Sequence, residues 1–128
     1  MEKSTQLRKV YLAGPMSNVP YFNFPAFHEG AKRLREKGYE VFSPAECDQD
    51  RGGDFWKNCP TGSHEELAKT NTPQINYKDC MRIDLNWILD NADAIALLPG
   101  WHNSKGAKAE KALADCLNLE TIVLSDVG

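Results

Sequence analysis

The sequence predicts an open, mostly parallel α/β sheet of four to five strands, doubly wound in the flavodoxin or Rossmann manner, with flanking helices. Three observations predict it. Short apolar runs at Arg8–Ala13, Tyr39–Phe42, Asp93–Leu98 and Thr121–Leu124 alternate with helical patterns, in the order β-α-β-insert-α-β-α-β. The first two runs and the helix between them make a βαβ unit, which implies parallel strands and a right-handed crossover. Finally, Asp93–Leu117 (DAIALLPGWHNSKGAKAEKALADCL) reads as a buried strand, a Pro/Gly/Asn/Ser loop and a helix. Such a joint points bare N–H groups and a positive dipole end at whatever sits above the sheet.

The elements follow in order. Gly14 and Pro15 close the first strand, and Met16–Pro20 is a loop. Asn23 or Pro25 opens a helix that runs to about Lys37, with Phe24, Phe27, Ala31 and Leu34 as its inner stripe. Gly38 is its stop signal. Ser43 and Pro44 end the second strand. Residues 45–76 hold glycines and prolines among many polar residues and read as an irregular insertion, with a short helix expected at Ser63–Lys69. Phe55 and Trp56 in that insertion either pin it to the body or stack on a planar ligand. Tyr77–Asn91 is the next helix. Ala94–Leu98 is an unbroken apolar run, as expected of a strand covered on both faces. Asn103 or Ser104 caps the last helix.

One domain accounts for 128 residues. A net charge of −3 makes no electrostatic case for nucleic acid polymers or an anionic membrane. No apolar run is long enough to span a bilayer, and the start MEKSTQLRK is no signal peptide. Cys47, Cys59, Cys80 and Cys116 form no CxxC, and Cys80 and Cys116 fall in helical patterns among apolar neighbours. The expectation is a reduced, cytoplasmic protein. A zinc site from Cys47, Cys59 and His64 has no recognised spacing, so no metal is expected. The first loop, GPMSN, lacks the full GxGxxG pattern, which argues against a dinucleotide cofactor.

Two carboxylates stand out. Glu110 has Gly106, Ala107, Leu113 and Ala114 as its one-turn neighbours, none of them charged, while Lys111 and Asp115 form a solvent pair on another face. Asp84 has Cys80, Met81, Trp87 and Ile88 around it, and Arg82 points elsewhere on the same helix. The plain alternatives are a Glu110 whose acid end reaches water and an Asp84 that pairs with an Arg or caps a loop. A carboxylate on an apolar face otherwise needs a partner or a role. Strands one and three should be adjacent, so Tyr11 and the loop Gly14–Asn18 meet the loop Trp101–Gly106 over one crevice. Two such carboxylates beside an anion-binding loop suggest glycosidic chemistry on a phosphorylated sugar.

The YLAGPM start, the RIDLNWILDNADAIALLPG stretch and the NSKGAKAE loop-helix resemble the nucleoside 2-deoxyribosyltransferase superfamily, over the whole chain except 45–76. The resemblance is nearest to its 2'-deoxynucleoside 5'-phosphate N-hydrolases. It implies Glu110 as nucleophile, Asp84 as assistant and Tyr11 beside the nucleophile. The substrate-binding set would be Gly14, Ser17, Asn18, Ser104, Gly106 and Trp101. The nucleoside-specific transferases carry Asp six residues before the nucleophile, where the nucleotide hydrolases carry Ser. This chain has Ser104, and a hydroxyl on a helix N-terminus welcomes a phosphate that a carboxylate would repel.

The implied activity is cleavage of the base–sugar bond of a nucleoside 5'-monophosphate, with no cofactor. Base exchange by a deoxyribosyltransferase is one alternative, and a non-catalytic nucleotide-binding or sensing module is another. The superfamily also implies a homodimer or higher oligomer that completes its sites between subunits. Apolar helix surface around Trp87 and Cys116 is a weaker pointer to the same pairing.

Overall fold

A computed structural model describes residues 8–16, 19–52, 57, 61–63, 65 and 77–124. Four parallel strands form one sheet: β1 (Lys9–Ala13), β2 (Glu40–Phe42), β3 (Ala94–Leu97) and β4 (Glu120–Val123), in the order β2-β1-β3-β4. The helices are α1 (Phe24–Glu36), α2 (Pro44–Gly52), α3 (Tyr77–Asn91) and α4 (Lys105–Cys116). The strand order reverses between β1 and β3, which are hydrogen-bonded neighbours with Tyr11 opposite Ile95. From there the chain winds outward both ways, the arrangement of a doubly wound fold.

Alternation along the strands divides the core into two layers. Val10, Leu12, Ala94 and Ala96 face α1, whose Phe24, Phe27, Ala31 and Leu34 form the expected inner stripe. Tyr11, Ala13, Ile95 and Leu97 face the other way, against Ile88 of α3 and Ala107 and Ala114 of α4. Central strands buried on both faces need continuous apolar sequence, and β3 has it, with all four residues buried. Among the described residues, no helix is long and apolar enough to cross a membrane.

The end of β1 approaches the end of β3 closely. A Cβ on Gly14 would lie 2.8 Å from the Cβ of Leu98. Only a glycine lets these two strand ends close at the point where the sheet order reverses.

Two parts of the chain depart from the sequence expectation. Residues 45–76 begin with a helix: α2 spans Pro44–Gly52. Its sequence, PAECDQDRG, has no apolar stripe, so periodicity hides it. Side chains from outside hold it instead. Arg35 of α1 donates two hydrogen bonds of 2.6 Å to Glu46, and a third of 3.0 Å to the carbonyl of Val41 at β2. His28 meets Gln49 at 3.1 Å, and the Cys80 thiol of α3 donates to Asp48 at 3.6 Å. Of the helix expected at Ser63–Lys69, only Ser63 and Glu65 are described, and Phe55 and Trp56 lie outside the described residues. Gly62 nonetheless ties the segment to the crevice. It has φ +69, and a Cβ there would lie 1.8 Å from the carbonyl oxygen of Val19.

The second departure precedes α1. The helix starts at Phe24, and Tyr21, Phe22 and Asn23 before it all have positive φ, from 54 to 62°. Left-handed backbone costs a non-glycine residue on the order of 1 kcal/mol. Burial of Phe22 and Phe24 in the α1 layer offsets that cost.

Gly14→Ala should destabilise the fold by about 1–3 kcal/mol, because neither Cβ in the contact can rotate away. Urea unfolding checks it, and an unchanged midpoint would refute the close-approach account.

Candidate active site

The site is built where Tyr11, Asp84 and Glu110 converge. Tyr11 lies on β1, the strand beside the reversal in sheet order, and is fully buried. Glu110 shares the inward face of α4 with Ala107 and Ala114, at the spacing of successive helical turns. That face is made of small residues, so α4 packs close to the sheet and brings the carboxylate to the strand. The Tyr11 hydroxyl donates to Glu110 Oε2 at 2.8 Å. Glu110 is 6% exposed and Asp84, on α3, is 8% exposed, so neither acid reaches bulk water freely.

The plain alternative at Glu110 is therefore excluded, and Arg82 points away from Asp84 as expected. The acid end of Glu110 is buried, and Arg82 pairs with Asp79 on the outer surface of α3. Lys111 and Asp115 form the expected pair on the outside of α4.

Electrostatics follow from burial. Removal from water, and then the negative charge of Asp84, push the Glu110 carboxyl up from 4.5 to about 8, while the Tyr11 hydrogen bond opposes the rise. The Tyr11 phenol is held well above its ordinary value of 10.0, first by burial, then by the charges of Glu110 and Asp84 and by hydrogen bonds with both. Tyr11 thus keeps its proton and donates it to Glu110, with Asp84 close by.

The loop after β3 forms the other wall. Trp101–Asn103 is a 3₁₀ turn, and Trp101 is half-buried against the same layer as Tyr11. Ser104, not Asn103, is the N-cap of α4: its Oγ accepts from the Ala107 N–H at 3.2 Å. A hydroxyl that accepts there still has its own proton to donate. Gly106 lies in the first turn of α4, half-buried. Gly14 is buried at the end of β1, packed on Leu98. Ser17 and Asn18 lie outside the described residues.

An aromatic group escapes the sequence reading of the site. Phe42, the last residue of β2, stands opposite Tyr11 in the parallel register and stacks on it at 5.6 Å and 18°. Trp87 of α3 stacks on Phe42 at 5.0 Å and 27°. The usable signals are two: Trp87 is one helical turn from Asp84, and Phe42 occupies the strand end where ligands of such sheets bind.

The surface expected around Trp87 and Cys116 also changes. Trp87 turns inward against the Tyr11 layer, since its indole finds the stacking partners just described. Cys116 is exposed at the end of α4 rather than set among apolar neighbours, because the helix ends there. The exposed apolar residues of α3 are instead Ile83 and Leu89. Cys116 is a free thiol, whereas Cys59 and His64 of the zinc alternative lie outside the described residues. Among the described residues, no three His, Cys, Asp or Glu side chains gather as a metal would need.

Fold and site together define a doubly wound parallel α/β domain with a buried acid pair and a tyrosine where its sheet order reverses. The chain belongs to the DUF4406 family, a domain of unknown function, whose family model matches residues 8–123. No curated protein and no solved structure matches the chain.

Between pH 4.5 and about 8 the folded protein holds a proton on Glu110 that the unfolded chain has released, so Glu110 erodes stability as pH rises through that window and no further above it. Glu110→Gln removes the titration but keeps an acceptor for Tyr11. Its stability advantage over the wild type should widen with pH by up to about 1.4 kcal/mol per unit within the window. Urea unfolding from pH 5 to 9 measures this, and a constant difference would refute it.

Proposed function

We propose that this domain is an N-glycosidase that cleaves the base–sugar bond of a nucleoside or deoxynucleoside 5'-monophosphate, releasing free base and the sugar 5-phosphate. The observation that carries the reading is the buried set of Glu110, Asp84 and Tyr11 beside the capped N-terminus of α4. Glycosidic chemistry needs a nucleophile and a proton donor, and two buried carboxyl groups on one side of the sheet can supply both. The likeness to nucleoside 2-deoxyribosyltransferases in the YLAGPM, RIDLNW and NSKGAKAE stretches supports the same assignment.

In this reading Glu110, once ionised, attacks C1' as the C1'–N bond breaks and its electron pair leaves with the base. Tyr11 steadies the carboxylate through its hydrogen bond. Asp84 serves the same step, by orienting the sugar or by protonating the departing base. Water then cleaves the glycosyl ester and restores Glu110. Transfer to a second base in place of water would make the same site a deoxyribosyltransferase. Ser104, Gly106 and the Gly14–Asn18 loop hold the phosphate, since a hydroxyl and bare N–H groups at a helix N-terminus suit a dianion. The reaction requires no cofactor, and in this reading the enzyme is cytoplasmic.

A panel of nucleosides and their 5'-monophosphates, read by chromatography for free base, tests this. The wild type should prefer monophosphates, Glu110→Ala should lose several orders of magnitude in rate while staying folded, and Ser104→Asp should lose monophosphate activity selectively. A folded Glu110→Ala with near wild-type turnover would refute the nucleophile, and equal wild-type use of both substrate types would refute the role of Ser104.

The working unit in this proposal is at least a dimer. Exposed Ile83 and Leu89 on α3 give a second copy apolar surface to cover. Light scattering at micromolar concentration should return at least twice the mass of one chain, and a monomer with full activity would rule out sites shared between subunits.

A further inference from the structure

We propose that Phe42 and Trp87 form the stacking platform for the leaving group, so that the group released is a planar heteroaromatic ring. This rests on the N-glycosidase reading and adds the site for the ring to it. The rings of Tyr11, Phe42 and Trp87 are contiguous: Tyr11 and Phe42 lie 5.6 Å apart at 18°, Phe42 and Trp87 5.0 Å apart at 27°, and Tyr11 and Trp87 6.4 Å apart at 41°. Tyr11 is fully buried and ends in the hydroxyl that donates to Glu110. Phe42 and Trp87 are only partly buried, so the outer part of the group remains open to a ligand.

Position makes this group more than core. Phe42 is the last residue of β2, at the carboxyl ends of the strands, the end at which ligands of doubly wound folds bind. Trp87 is one helical turn from Asp84, so one face of α3 presents both an acid and an indole. A packed core has no need of three aromatic rings in series ending on a buried acid. A bond between a sugar and a flat ring needs both, an aromatic face for the ring and acids at the adjoining carbon.

The layout also accounts for both ends of a nucleotide. The aromatic rings lie at β2, Tyr11 and Glu110 meet at β1, and the capped N-terminus of α4 follows β3. The ring site at β2 and the phosphate site after β3 thus flank β1 on either side in the sheet order. A nucleoside monophosphate laid across the strand ends sets its base on Phe42 and Trp87, its C1' at Glu110 and its phosphate toward Ser104.

Binding of adenine, guanine, cytosine, uracil and thymine, and separately of ribose 5-phosphate, is measured by calorimetry. The proteins are the wild type, Trp87→Phe, Trp87→Leu and Phe42→Leu, with circular dichroism melts to establish folding. Loss of the aromatic face should weaken base binding roughly tenfold or more in Trp87→Leu and Phe42→Leu. Trp87→Phe should stay close to wild type, and ribose 5-phosphate affinity should hardly change in any of them. Should Trp87→Leu not fold, the comparison of Phe42→Leu with Trp87→Phe decides. Unchanged base affinity in the folded leucine variants overturns the platform, as does a wild type that binds none of the five bases. Equal weakening of bases and ribose 5-phosphate overturns it too. Failure of the underlying activity is distinguishable. Aromatic-dependent base binding without base release from any monophosphate would refute the glycosidase and leave the platform standing. Base release with unaltered base affinity in the leucine variants would do the reverse.

Discussion

The hydrogen bond from the Tyr11 hydroxyl to Glu110 links the centre of the sheet to the helix that covers it. A carboxylate buried without a donor would be strongly unfavourable, and α4 would have to turn that face toward water. With the phenol as partner, α4 can keep Ala107, Glu110 and Ala114 inward together. The small alanines on either side bring the helix close, and closeness is what makes the bond. Packing and polarity therefore constrain each other: the alanines set the distance, and the distance selects which polar pair fits.

The topology explains why this contact occurs where it does. β1 and β3 are neighbours and their outgoing chains part, one toward α1 and the other toward α4. Gly14 lets the two strand ends meet without a Cβ between them. Around that junction stand Tyr11, the capped end of α4 after β3 and the end of β2. Asp84 enters from α3 on the same side of the sheet as Glu110, so its charge raises the proton affinity of Glu110 in a setting with little water to screen it. The electrostatic character of the site is thus a property of the layer, not of any one residue.

The surroundings of this junction are held by less regular means. α2 buries little apolar surface of its own and depends on Arg35, His28 and Cys80 reaching it from α1 and α3. The approach to α1 runs through three left-handed residues, whose conformational cost is balanced by two buried phenylalanines. Gly62 fits against Val19, joining the second of these irregular stretches to the segment after α2. Irregular backbone is concentrated around the open edge of the site, whereas the sheet beneath is regular.

By itself the sequence determined the fold class, because continuous apolar runs and the 3.6-residue stripe of α1 are local properties written along the chain. It also isolated Glu110 and Asp84, since helical neighbours three and four residues away are known without any tertiary information. The N-cap of α4 was legible only as Asn103 or Ser104, and the hydrogen bond to Ala107 decides it. Whether Glu110 reaches water, and which donor meets it, depended on how closely α4 packs on β1, a distance between residues 99 positions apart. The stack of Phe42 on Tyr11 follows from strand register, and α2 from an ion pair and hydrogen bonds made by other helices, so neither leaves a local trace. How far the helix faces at Trp87 and Cys116 are covered was not legible for a related reason. Both lie on amphipathic helices, but only the assembled layers decide which side of such a helix is covered and where the cover ends.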